Sequence, residues 1–74
     1  MKTLEEWQSI RERILDAYNL NLDFIQKSYL WDLYQHATDC YYWIFYNACN
    51  PTWWNLIESS YKKAEQDCQA RQLI

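Results

Sequence analysis

The chain has 74 residues, half of them hydrophobic and 19% aromatic, with no glycine, one proline, three cysteines and a formal charge of −3. That length allows one domain, the aromatic content excludes a disordered chain, and the scarcity of Gly and Pro favours helices with short connections over a sheet with many reversals. The mild acidity is the wrong sign for phosphate recognition, because nucleic-acid binders cluster Lys and Arg.

Thr3 followed by Glu6 has the spacing of a capping box. A helix is predicted from about 4 to 18, with Trp7, Ile10, Ile14 and Ala17 on one face and Glu5, Arg11, Glu12 and Asp16 on the others. Asn19 is the expected stop and Asn21 the expected cap of the next helix, since asparagine tolerates left-handed backbone and accepts hydrogen bonds at helix starts.

The second helix is predicted from 22 to about 49. Leu22, Ile25, Tyr29, Leu33 and Ala37 form its stripe, with Leu30 and Tyr34 beside it. Thr38 and Asp39 have the chemistry of a fresh cap. Residues 22–49 therefore read either as one helix or as two with a break near 36–39. The stretch "CYYWIFY" from Cys40 has strand propensity. No other segment alternates with period two, so a strand there would have no partner within the chain, and a helix is expected instead.

Asn47 is expected to end that helix. Asn50 and Pro51 read as an N-cap and a first helical residue. The third helix is predicted from 51 to 69, with Trp54, Ile57, Tyr61, Ala64 and Cys68 at helical spacing and Glu58 and Lys62 as an i, i+4 ion pair. The last residues, "QARQLI", are expected to fray, with docking of Leu73 and Ile74 as the alternative. Three helices joined by two short turns predict an all-α, antiparallel three-helix bundle.

Asp32, His36 and Cys40 lie at i, i+4 and i+8, a carboxylate, an imidazole and a thiol on one helical stripe. A thiol enzyme also needs an oxyanion hole, for which no Gly-rich loop is present, and a zinc site needs about four spaced ligands. No enzyme activity, cofactor or metal is therefore expected, and a thiol enzyme is the distant alternative. The odd cysteine count is a poor disulfide framework, and "MKTLEEWQ" has no apolar run, so free thiols in a cytoplasmic protein are expected. The uncharged run from Cys40 to Ile57 contains Asn47, Asn50, Pro51, Thr52 and Asn55, and its apolar part is shorter than a membrane span.

Between Cys40 and Asn55 the chain places seven aromatic side chains and no charge. Two helices cannot surround a third, so part of this surface is expected to face a partner. The expected contact residues are Tyr41, Tyr42, Trp43, Tyr46, Trp53 and Trp54, with Asp32, Asp39 and Glu58 as the acidic complement to a basic protein surface. A homodimer is expected as well. The sequence thus reads as a small acidic protein-binding module, an inhibitor or adaptor. By analogy of size and charge alone it is of the phage or mobile-element type that blocks host defence or nucleic-acid machinery. The alternative is a structural homo-oligomer with no external target.

Overall fold

The computed structural model of the chain describes residues 2–21, 23–46 and 51–74, without the side chains of 51 and 52. The fold is an all-α three-helix bundle, with α1 at Leu4–Leu20, α2 at Phe24–Phe45 and α3 at Pro51–Ala70. Side-chain contacts set the directions. Arg11 reaches Thr38 while Tyr18 meets Trp31, and Cys40 reaches Ile57 while Cys68 reaches Tyr29, so each helix runs antiparallel to the next.

The start of α1 is the predicted capping box. The Glu6 N–H donates to Thr3 Oγ1 at 3.1 Å, and the Thr3 N–H donates to Glu6 Oε1 at 3.2 Å. The end of α1 differs from expectation. Asn19 stays helical, and the helix stops at Asn21, whose backbone is extended (φ −88°, ψ 134°) rather than left-handed. The cap works through hydrogen bonds to exposed carbonyls: the Asn21 N–H donates to Tyr18 O at 3.3 Å and its Nδ2 to Ala17 O at 3.5 Å. The N-cap of α2 is Asp23, not Asn21. Asp23 Oδ1 accepts from the N–H groups of Ile25 (2.8 Å) and Gln26 (3.1 Å). A carboxylate also gains from the positive end of the helix dipole, which a neutral amide does so less.

α2 is a single helix through residues 36–39. Thr38 does not cap there because its hydroxyl accepts from Arg11 Nε at 3.1 Å. The helix ends at Phe45, and Tyr46 closes it with an N–H bond to Tyr42 O at 3.0 Å. The predicted extension to 49, and the roles given to Asn47 and Asn50, fall outside the described residues. Pro51 opens α3 as expected.

At the C-terminus the docked alternative holds for Leu73, while Ile74 is exposed. The N–H of Leu73 donates to Cys68 O (2.9 Å) and that of Gln72 to Gln69 O (3.0 Å), with Gln72 at φ 58°. This is the Schellman pattern, which folds Leu73 back onto the core. A chain without glycine puts Gln in the left-handed position, where a Cβ is unfavourable.

One core draws on all three helices: Trp7, Ile10 and Ile14; Leu30, Leu33, Ala37 and Cys40; Trp54, Tyr61, Ala64 and Cys68. The buried line of α2 is therefore rotated from the predicted stripe, and Ile25, expected inside, is 67% exposed. α2 is apolar on several sides, so spacing alone offers more than one stripe. The chosen line holds Ala37 and Cys40, whose small side chains let both neighbouring helices approach.

α2 touches both other helices, whereas no Cα of α1 lies within 8 Å of a Cα of α3 among the described residues. Aromatic rings span that seam. Trp7 meets Trp54 at 6.3 Å and Tyr61 at 4.9 Å between ring centroids, both edge-on.

Two measurements check this packing. Gln72→Gly is expected to stabilise the chain by about 1 kcal/mol by relieving the left-handed side chain, read as a higher urea midpoint. Trp7→Ala is expected to cost about 3–5 kcal/mol, enough to unfold much of a chain this small, read by far-UV circular dichroism. A folded Trp7→Ala protein would show that the α1–α3 seam does not depend on that ring.

Candidate protein-contact surface

The carboxylate–imidazole–thiol stripe divides in the structure. His36 Nε2 lies 3.6 Å from Asp32 Oδ1 at the surface. Cys40 is fully buried, and its thiol points to Ile57 O at 3.9 Å across the α2–α3 contact. Burial, then the nearby carboxylates of Glu58 and Asp39, push the Cys40 thiol up to about 12. A thiol held protonated is a poor nucleophile. Cys68 is likewise buried, bonds to Tyr29 O at 3.4 Å, and is raised chiefly by burial. Among the described residues no three His, Cys, Asp or Glu side chains are grouped to hold a metal ion. No helix there is long and apolar enough to cross a membrane.

The aromatic residues at the end of α2 form an ordered array. Tyr41 stacks on Phe45 at 6.1 Å and Tyr42 on Tyr46 at 6.1 Å, each pair one helical turn apart. Edge-to-face contacts tie the two stacks together, Tyr41 to Tyr42 at 5.2 Å and Phe45 to Tyr46 at 5.1 Å. The array therefore presents a shaped surface with few rotamers left to order on binding.

Arg11 anchors this array to α1. Its guanidinium lies 4.6 Å from the Tyr41 ring centre, 5.4 Å from Tyr34 and 5.6 Å from Tyr42. It also donates to Thr38 Oγ1 (3.1 Å), Tyr34 Oη (3.2 Å) and Gln8 Oε1 (3.0 Å). Sequence periodicity placed Arg11 on a polar side of α1, and nothing in its spacing marks it as the hub of four aromatic and polar partners on another helix.

The expected contact residues separate into distinct environments. Tyr42, Tyr46 and Trp53 are exposed, while Tyr41 and Trp43 are half-buried, Tyr41 beneath Arg11. Trp54 is a correction: it is 8% exposed, packed against Trp7, and belongs to the core. Consecutive helical residues point about 100° apart, so one of the paired tryptophans turns in and the other out. Asp39, Tyr42, Trp43, Tyr46 and Ile57 line a shallow groove of about 400 Å³ between α2 and α3. Asp32 is exposed two turns further along α2, and Glu58 is half-buried, bridging to Lys62 at 3.1 Å. Phe45 and Leu56, 54% and 56% exposed, were missed. They stand four residues after Tyr41 and three after Trp53, a spacing that identifies them once the exposed face is known.

The cations are engaged by rings more than by carboxylates. Lys2 lies over Trp7, Lys27 over Tyr18 at 4.7 Å and Arg71 over Tyr29 at 3.9 Å, in addition to Arg11. Among the described residues, Lys62–Glu58 is the only ion pair made by a Lys or Arg.

Arg11→Lys is expected to lower stability by about 1–2 kcal/mol, because an ammonium keeps the charge and loses the planar fork; a urea midpoint equal to the parent's would remove Arg11 from this role. Alkaline pH tests the buried acids. Cys40, Cys68 and Tyr61, the last raised by burial and its 2.7 Å bond to Glu65, all hold protons more tightly folded than unfolded. The unfolded chain binds fewer protons once pH exceeds the ordinary thiol value of 9.0, so stability is expected to fall from there towards pH 12. A midpoint that stays level over that range contradicts it. Compared with known proteins, the chain matches no family model, no curated protein and no solved structure.

Proposed function

We propose that this chain is a small, non-catalytic protein-binding module, an inhibitor or adaptor that occupies a basic surface on a larger protein. The observation that carries this reading is the exposed apolar group of Tyr42, Phe45, Tyr46, Trp53 and Leu56, beside the acidic groups of Asp39 and Glu58. Rigid aromatic side chains bring contact area at small entropic cost, and a carboxylate rim steers approach to a cationic patch. The elevated, buried Cys40 supports a structural role for the thiol over the enzyme alternative. Size and acidity keep the analogy to phage or mobile-element inhibitors of host defence or nucleic-acid machinery, whose targets carry basic channels. Self-association belongs to the same reading, since α2 retains apolar surface on the side away from α1 and α3.

The test uses capture on immobilised chain, identification of what is retained, and elution with salt. A partner with a basic surface is expected, released as ionic strength rises. Replacing Tyr46 and Trp53 together by Ala is expected to lower affinity at least about tenfold, as loss of interface aromatics does, with the urea midpoint nearly unchanged. Retention of an acidic partner, or of one indifferent to that double substitution, would overturn the assignment.

A further inference from the structure

The side of α2 that faces away from the core has a periodicity of its own. Phe24, Trp31, Tyr42 and Phe45 lie on it, 82%, 44%, 44% and 54% exposed. Ser28, Gln35 and Thr38 fill the places between them. The steps from 24 to 45 then alternate four and three residues, the spacing of a coiled-coil seam sustained for three heptads. At about 150–250 Å² per aromatic side chain, the exposed fractions of the four rings amount to roughly 450 Å². That is more than half of the about 800 Å² per partner that a stable interface buries.

The two flanks of this seam differ in charge. Asp32 and Asp39 follow Trp31 and Thr38 on one flank, with His36 beyond Asp32 at 3.6 Å. Lys27, Tyr34 and Tyr41 precede Ser28, Gln35 and Tyr42 on the other, and the Arg11 guanidinium covers Tyr34 and Tyr41 at 5.4 and 4.6 Å. One flank is therefore acidic and the other cationic. When two identical helices pair in parallel about a two-fold axis, opposite flanks meet, each residue facing one five positions on in the other copy. Lys27 then faces Asp32, and Tyr34 with its Arg11 faces Asp39. In an antiparallel pair like flanks meet, which sets Asp32 and Asp39 against their own counterparts.

We propose that two copies of this chain pair in parallel through the outer seam of α2, with Lys27 of each opposite Asp32 of the other and Arg11 opposite Asp39. Gln35 sits at the middle of the seam, where amide-to-amide hydrogen bonding across the axis fixes the register at some cost in affinity. The proposal rests on the self-association put forward above. It moves Asp32, Asp39, Tyr42 and Phe45 to the contact between copies and leaves Tyr46, Trp53, Leu56 and Glu58 for an external partner.

Light scattering on the full chain is expected to give twice the 9.2 kDa of one copy. Lys27→Glu and Asp32→Lys are each expected to weaken the dimer at least about tenfold by placing like charges together, and the double variant to recover most of that loss. Ser28→Cys and Gln35→Cys, each made with Cys49→Ser, are both expected to form disulfide-linked dimers in oxidised glutathione, because both positions face themselves across a parallel axis. A dimer that ignores the reversals, that tightens with Asp39→Lys, or that cross-links at one cysteine only overturns the parallel seam while leaving self-association standing. A strict monomer at millimolar concentration overturns self-association itself, and the salt-sensitive capture experiment remains a separate test of the external partner.

Discussion

The structure depends on α2 being packed from two sides by helices that do not pack closely on each other. A helix with one neighbour needs one apolar stripe; a helix with two needs a broad one, and α2 supplies it with Leu30, Leu33, Ala37 and Cys40, all fully buried. The small side chains of Ala37 and Cys40 permit close approach on both sides. α1 and α3 then stand too far apart for backbone contact, and Trp7, Trp54 and Tyr61 fill the space with edge-on rings. The same arrangement fixes what is left outside. A helix flanked on two sides keeps a third side open, and in α2 that side carries Trp31, Tyr42 and Phe45.

A second constraint follows from the aromatic excess. Each tyrosine at the half-buried margin needs a partner for its ring and its hydroxyl. Arg11 and Arg71 meet both needs, lying over rings and donating to Tyr34 Oη and Tyr29 Oη. Those contacts join α1 to α2 and the C-terminal turn to α2. A cation over a ring keeps its full charge, so these contacts leave the net charge at −3.

Helix number, order and type were legible because they rest on local chemistry: the Thr3–Glu6 box, Pro51 at a helix start, and 3–4 spacing in α1 and α3. The boundaries between α1 and α2 were less legible. Asn21 and Asp23 divide the capping between them, and which residue takes which role depends on hydrogen bonds to Ala17, Tyr18, Ile25 and Gln26 rather than on propensity. The rotation of α2 was legible only in part: Leu33 and Ala37 lie on the predicted stripe and Leu30 beside it, whereas Ile25 faces out and Cys40 completes the buried line. With Ile25, Tyr29, Leu30 and Leu33 all apolar, spacing alone did not separate the two neighbouring stripes. Trp53 and Trp54 were easier: the spacing of Trp54 with Tyr61, Ala64 and Cys68 puts it on the buried stripe, and Trp53 then turns out; what that spacing did not give is the contact with Trp7 across the bundle. The role of Arg11 was invisible for a related reason, since its partners Tyr34, Thr38 and Tyr41 are more than twenty residues away in the chain.

The two surfaces proposed on α2 and α3 adjoin along a groove whose lining includes Asp39 and Tyr42. Tyr42 and Phe45 lie on the outer seam, whereas Trp53, Leu56 and Glu58 stand on α3, on the other side of the groove lined by Trp43 and Ile57. Pairing through the seam would cover the former and repeat the latter on each copy. Two weak sites held by one rigid dimer bind a target with paired basic patches far more tightly than one site alone, because the second contact is made at high effective concentration. A chain this small has little area for a single strong interface, and duplication, if the proposed pairing holds, would add affinity without a larger core.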